Sequence, residues 1–167
     1  MRIALGSDER SHLTDFVEQE LRRRGYDVNP FGLLKGEPQA WPDVAAAVAC
    51  SVASGEADEG VLFCWTGTGV SIAANKVPGV RAALCNDAET ARGAKAWNQA
   101  NVLCLSLRST SETVAREVLD AWFSAAADPS EAGNVEKVNQ LDERYRISDG
   151  GEIQGAVSET MREKGDI

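Results

Sequence analysis

Short unbroken apolar runs alternate along this chain with longer stretches in which apolar residues recur every three or four positions. The runs Arg2 to Leu5 (RIAL), Tyr26 to Phe31 (YDVNPF), Gly60 to Cys64 (GVLFC), Val80 to Cys85 (VRAALC) and Ala100 to Leu105 (ANVLCL) predict five strands. GVLFC shows no alternation of apolar and polar positions, as expected of a strand covered on both faces. Between the runs lie amphipathic segments. Leu13 to Arg24 carries Leu13, Phe16, Val17 and Leu21 on one helical face before Gly25. Pro42 opens a helix to Ser54, and Ser71 to Lys76 predicts a short helix. Asp87 to Trp97 predicts a helix capped by Asn86 or Asp87. Ser111 to Ala126 predicts another, with a Val114, Val118, Trp122 stripe. Five alternations of strand and helix describe an α/β fold: a doubly wound, Rossmann-like, five-stranded parallel sheet with helices on both faces. In such a sheet ligands bind at the carboxyl ends of the strands.

One more helix is expected over Val135 to Tyr145. Residues 1–146 then form one domain and residues 147–167 a polar, glycine-containing, weakly anchored extension. The net charge of −9 argues against nucleic acid or an anionic membrane surface as partner. The apolar stretch of MRIALGSDER is too short for a signal peptide or a membrane span, so the expected location is the cytoplasm. Cys50, Cys64, Cys85 and Cys104 show no metal-ligand spacing, and His12 is the only histidine, so no metal site is expected. A cysteine ending an apolar run is ordinarily a small buried hydrophobe.

Cys64 differs in its local context. The third strand ends at this thiol and passes into WTGTG, residues 65–69, and then into a helix. Glycines let a backbone approach a ligand closely, and the unpaired N–H groups of a first helical turn favour an anion. A base beside oxyanion donors suits removal of a proton next to a carbonyl, with the amides holding the enediolate. The alternative is a structural turn around a buried thiol.

The segments GSDER, WPDVA, GEADEGVLFCWTGTGVSIAANKVPGVRAALCNDAETAR and WNQANVLCL resemble the ribose-5-phosphate isomerase B family, which includes the galactose-6-phosphate isomerase subunits, from Met1 to about Leu141. The resemblance implies cofactor-free interconversion of aldose and ketose phosphates through an enediolate, in a homodimer or a dimer of dimers. It makes Cys64 the catalytic base, Thr66 its neighbouring hydroxyl and Asp8 an acid at the end of the first strand. It makes Gly67, Thr68 and Gly69 the enediolate-holding loop. Asn98 matches an asparagine of the family's His-Asn pair, and Arg108 follows the fifth strand where the family often has arginine.

The chain departs from the family pattern in its substrate-binding positions. Glu9 stands where the family has a histidine, Trp97 stands for the histidine thought to open the sugar ring, and Trp65 replaces a glycine. At the phosphate-binding arginines the chain reads AGNVEKV, giving Asn134 and Lys137. Trp65 and Trp97 serve either packing, in the core or between copies, or substrate stacking. Glu9 and Arg10 form either a solvated turn or a substrate contact, and His12 a surface or capping residue. Three functions fit. One is an isomerase for a sugar or sugar phosphate other than ribose 5-phosphate. Another is a subunit whose missing groups come from a homologous second chain, and the third a non-catalytic sugar-binding domain.

Overall fold

The computed structural model describes residues 1–145; the expected C-terminal extension lies outside the described residues. The strands are β1 (Arg2–Ser7), β2 (Asp27–Gly32), β3 (Glu59–Cys64), β4 (Ala82–Leu84) and β5 (Val102–Ser106). The α-helices are α1 (His12–Arg23), α2 (Trp41–Ala53), α3 (Thr68–Ala74), α4 (Ala88–Asn98), α5 (Glu112–Ser124) and α6 (Ala132–Arg144). All strand pairs are parallel, in the order β2-β1-β3-β5-β4.

Side chains alternate across the central strands and fill two cores. Ile3, Leu5, Val61, Phe63, Leu103 and Leu105 face α1, α4 and α5, where Trp122 is wholly buried. Ala4, Leu62, Cys64, Val102 and Cys104 face α2 and α3. The sheet is thus doubly wound, as its sequence alternation implies. Pro30 sits in β2, an edge strand, where its missing N–H removes no ladder bond from the interior.

Helix starts follow local chemistry. Ser11 and Thr14 form a reciprocal capping box on α1, Asp87 caps α4 through Thr90 N, and Ser111 caps α5 through Val114 N. Several boundaries shift from the sequence expectation, and the shifts in α3, β4 and α6 have local causes. α3 begins at Thr68 rather than Ser71, because Gly67 adopts φ +75° and turns the chain directly into the helix. β4 is three residues long, since the Val80 N–H turns back to Val77 O and the Arg81 N–H is taken by the Asn101 side chain. α6 begins at Ala132, directly after a single 3-10 turn over Pro129–Glu131.

Two charged clusters pin helices to this frame. Glu59 accepts from Lys95 Nζ at 2.6 Å and from the Trp122 indole N–H, tying α4 and α5 to the start of β3. Glu20, 6% exposed, accepts from Arg23 and Arg24, and Arg24 reaches on to Asp120 of α5 at 2.7 Å. The Arg23 hydrogen bond, with Arg24 assisting, holds the Glu20 carboxyl down at about 2 against an ordinary 4.5. A depressed carboxylate contributes stability above its unfolded value that disappears as pH falls through the folded one. Glu20→Gln is therefore expected to lower the melting temperature at pH 7 by on the order of 5 °C. Calorimetry from pH 7 down to 2 should show the gap between wild type and variant closing below about pH 4.5; a gap independent of pH would contradict the assignment.

Candidate active site

Cys64 ends β3 opposite Ser106 of β5, its side chain on the α2/α3 face and 7% exposed. The backbone around it is tightly held. Cys64 O accepts from Gly67 N at 3.2 Å and Leu107 N at 3.0 Å. Trp65 O accepts from Arg108 N at 3.0 Å and from the buried Ser106 hydroxyl at 3.0 Å. The turn after β5 thus clasps the turn after β3. Ser106 was not singled out from sequence; its position at the end of an apolar run gave no signal.

Gly67 fits only as glycine. Its φ of +75° disfavours any side chain, and an added Cβ would lie 2.5 Å from Leu84 Cδ1 and 3.0 Å from the backbone of Leu105. Its own amide serves the turn to Cys64. The N–H groups of Thr68, Gly69 and Val70 are the first of α3 and have no acceptor within the helix. Thr66 and Thr68 share a hydroxyl hydrogen bond of 2.6 Å. Trp41, another residue the sequence did not flag, lays its ring on Gly69, where an added Cβ would come within 3.1 Å.

Asp8 follows β1 on this same edge, and its Oδ1 is buried without a hydrogen-bond partner among the described residues. An orphaned buried acceptor is costly unless something else satisfies it. Glu9 is exposed, with its N–H on the Ser7 hydroxyl at 3.2 Å. Arg10 pairs with Asp15 at 2.8 Å, and Arg108 is exposed. His12 is exposed at the first position of α1. Asp8, Glu9, Cys64, Trp65, Thr66, Gly67, Thr68, Gly69 and Arg108 all lie at or just beyond the carboxyl ends of β1, β3 and β5.

The remaining expected residues lie elsewhere. α4 follows β4 and runs back down the sheet, so Trp97 and Asn98, at its end, sit at the amino edge of the strands. Asn134 lies there too, lining with Trp97, Asn98, Arg81, Glu131, Val135 and Val138 a cavity of about 260 Å³. Lys137 Nζ is 3.4 Å from Asn134 Oδ1. A six-residue strand separates the two edges by roughly 20 Å, so one copy of the chain does not bring the two groups together. Trp65 and Trp97 are 58% and 59% exposed, which removes packing in this chain's own core as their role.

The other thiols are unlike Cys64 in setting. Burial first, then the Asp87 carboxylate, pushes the Cys85 thiol up to about 12; burial, with Cys85 and Cys64 nearby, raises Cys104 as well. Cys50 is exposed on α2. Among the described residues no group of three or more His, Cys, Asp or Glu side chains could hold a metal ion.

Residues 3–141 match the Ribose/Galactose Isomerase family. The chain belongs to this family of aldose-ketose isomerases. It is 34% identical over 153 residues to a D-erythrulose-4-phosphate isomerase of Pectobacterium atrosepticum, covering 87% of this chain and 98% of that protein. It is 38% identical over 127 residues to the galactose-6-phosphate isomerase subunit LacB of Clostridium acetobutylicum, covering 76% and 73% of the two chains. The solved structure of Clostridium thermocellum ribose-5-phosphate isomerase B superposes with a TM-score of 0.82 at 38% identity, over 87% of this chain and all of the other.

The two glycines separate backbone strain from crowding. Gly25→Ala, at φ +81° with nothing within 4 Å of the added Cβ, is expected to cost about 1–2 kcal/mol. Gly67→Ala should cost clearly more in urea unfolding, because its Cβ meets backbone; equal costs would show that the Cys64 turn yields more easily than its contacts imply.

Proposed function

We propose that this chain is a cofactor-independent aldose-ketose isomerase whose base is Cys64. The thiolate takes the proton from C2 of the aldose, an enediolate forms across C1 and C2, and the thiol, its hydrogen exchangeable with solvent at this stage, delivers a proton to C1 while a hydroxyl proton moves from O2 to O1. The observation that carries this reading is the setting of the thiol. It lies beside the unsatisfied carboxylate oxygen of Asp8 and beside α3's first amides, with the carbonyls of residues 64 and 65 already occupied. Asp8 and Thr66 serve the hydroxyl proton, and Thr68 and Gly69 offer amides to the enediolate. Trp65, Glu9 and Arg108 border the substrate.

The substrate is a sugar phosphate other than ribose 5-phosphate. Trp97 occupies the position of a ring-opening histidine, so a sugar that forms no ring suits the site. The Pectobacterium relative is named for erythrulose 4-phosphate. With its fourth oxygen phosphorylated, the corresponding tetrose has no hydroxyl free to close a five-membered ring. The cytoplasm is the fitting location, and no described helix is long and apolar enough to cross a membrane.

A second copy completes the site. The amino edge exposes Trp97, Val138, Leu141 and Tyr145, and Trp41, Trp65 and Ile72 are exposed near the glycine loop. In a two-fold pair each copy's amino-edge group, with Trp97, Asn98, Asn134 and Lys137, meets the other's Cys64 edge, so both sites form at once.

Incubation in deuterated water with tetrose, pentose and hexose phosphates, followed at C1 and C2 by NMR, tests the chemistry. Exchange is expected with a tetrose 4-phosphate and should fall at least a thousandfold in Cys64→Ala, in line with loss of a base and its placement. Equal exchange in the variant overturns the assignment. Binding without exchange would favour a sugar-binding role.

Composition of the site is read by mixing. Cys64→Ala and Asn98→Ala proteins, each impaired alone, should recover up to about a quarter of wild-type activity when dissociated and reassembled together, since half the pairs are mixed and each holds one intact site. Without recovery, a second copy of this chain does not supply the partner edge. A separate homologous chain is then the candidate, as the likeness to a LacB subunit suggests.

A further inference from the structure

We infer that Arg81 is the phosphate-holding residue of the amino-edge cavity, taking the terminal phosphate of the sugar; this rests on the isomerase reading above. Arg81 stands just before β4, its N–H on Asn101 Oδ1 at 2.8 Å. Its Nε donates to Asn98 O at 3.1 Å and Gln99 O at 3.0 Å, and its Nη1 to Asn139 Oδ1 at 3.2 Å. Gln99 is the one non-glycine at positive φ among the described residues, and that turn presents both carbonyls to one guanidinium.

These bonds fix the guanidinium without neutralising it. Every acceptor it uses is a neutral amide oxygen, and among the described residues no carboxylate forms an ion pair with it. Nη2 makes no hydrogen bond to the described residues. Capping the last carbonyls of α4 accounts for Nε. It leaves unexplained a half-buried planar cation whose outer edge lines the cavity beside the Asn98 and Asn134 side chains.

The neighbouring carboxylates are engaged but still charged, and Lys137 offsets one of them. Glu131 lines the same cavity but accepts from Asn134 Nδ2 at 2.8 Å, and Lys137 approaches Asn134 from the other side. Asp142 borders the adjoining hollow, where it accepts from Gly79 N at 2.8 Å. A rigid fork with free N–H groups is suited to two phosphate oxygens, and its immobility removes an ordering cost on binding.

The test is titration of the full chain with inorganic phosphate by calorimetry, with wild type, Arg81→Lys and Arg81→Gln. Wild type should bind. Arg81→Gln should bind at least tenfold more weakly, and Arg81→Lys in between. Val138→Glu, at an exposed position on the cavity rim that touches none of the Arg81 bonds, keeps the test alive if Arg81→Gln does not fold. It too should weaken phosphate binding. Wild-type affinity in Arg81→Gln or Val138→Glu, or no binding by wild type, overturns the inference. So does an equal loss of exchange on phosphorylated and unphosphorylated forms of one sugar in Arg81→Gln, which would leave only a helix cap. Failure of Cys64-dependent exchange while wild type still binds inorganic phosphate through Arg81 counts instead against the isomerase reading, because Cys64 does not line this cavity.

Discussion

The two carbonyl oxygens after Phe63 each accept two hydrogen bonds, and the local architecture hangs on that double clasp. Cys64 O holds the amides of Gly67 and Leu107, while Trp65 O holds the Arg108 amide and the Ser106 hydroxyl. Two loops from neighbouring strands are thereby locked into one unit. Once their oxygens are committed, the groups left facing outward are N–H groups, a thiol and threonine hydroxyls. An anion at this edge would meet these donors, with the unsatisfied Asp8 carboxylate oxygen as the acceptor near them. Strand pairing in the register Cys64 to Ser106 creates this polarity before any substrate arrives.

The winding of the sheet imposes a second constraint. In a parallel α/β fold every helix returns the chain to the starting edge, so whatever ends a helix lies far from whatever ends a strand. Trp97 and Asn98 end α4, and Cys64 ends β3. A catalytic set drawn from both kinds of position is necessarily divided within one chain.

Much of this was legible from the chain. Unbroken apolar runs marked the five strands, and the expected Asp87 cap and Ser111 start stand at their helices, whereas the Ser11 cap of α1 was not read. The carboxyl-edge group was legible because strand-end positions are contiguous with apolar runs, as Cys64 is with GVLFC. What was missed acts through three-dimensional neighbours that local pattern does not encode. Ser106 looks like any polar residue closing a strand, yet its hydroxyl spans to another loop. Trp41 opens a helix in sequence but lies on Gly69 in space. Arg81 sits inside an apolar strand pattern, and its three amide-oxygen partners come from residues 98, 99 and 139. The Thr68 start of α3 was missed because a left-handed glycine can begin a helix without the usual polar cap.

The edges of the sheet carry a further consequence. One edge strand contains Pro30, which has no N–H to offer a neighbouring strand, and the other is only three residues long. Both features blunt the margins against an added strand. Open-ended, fibre-like growth through the backbone is thus disfavoured at both ends of the sheet.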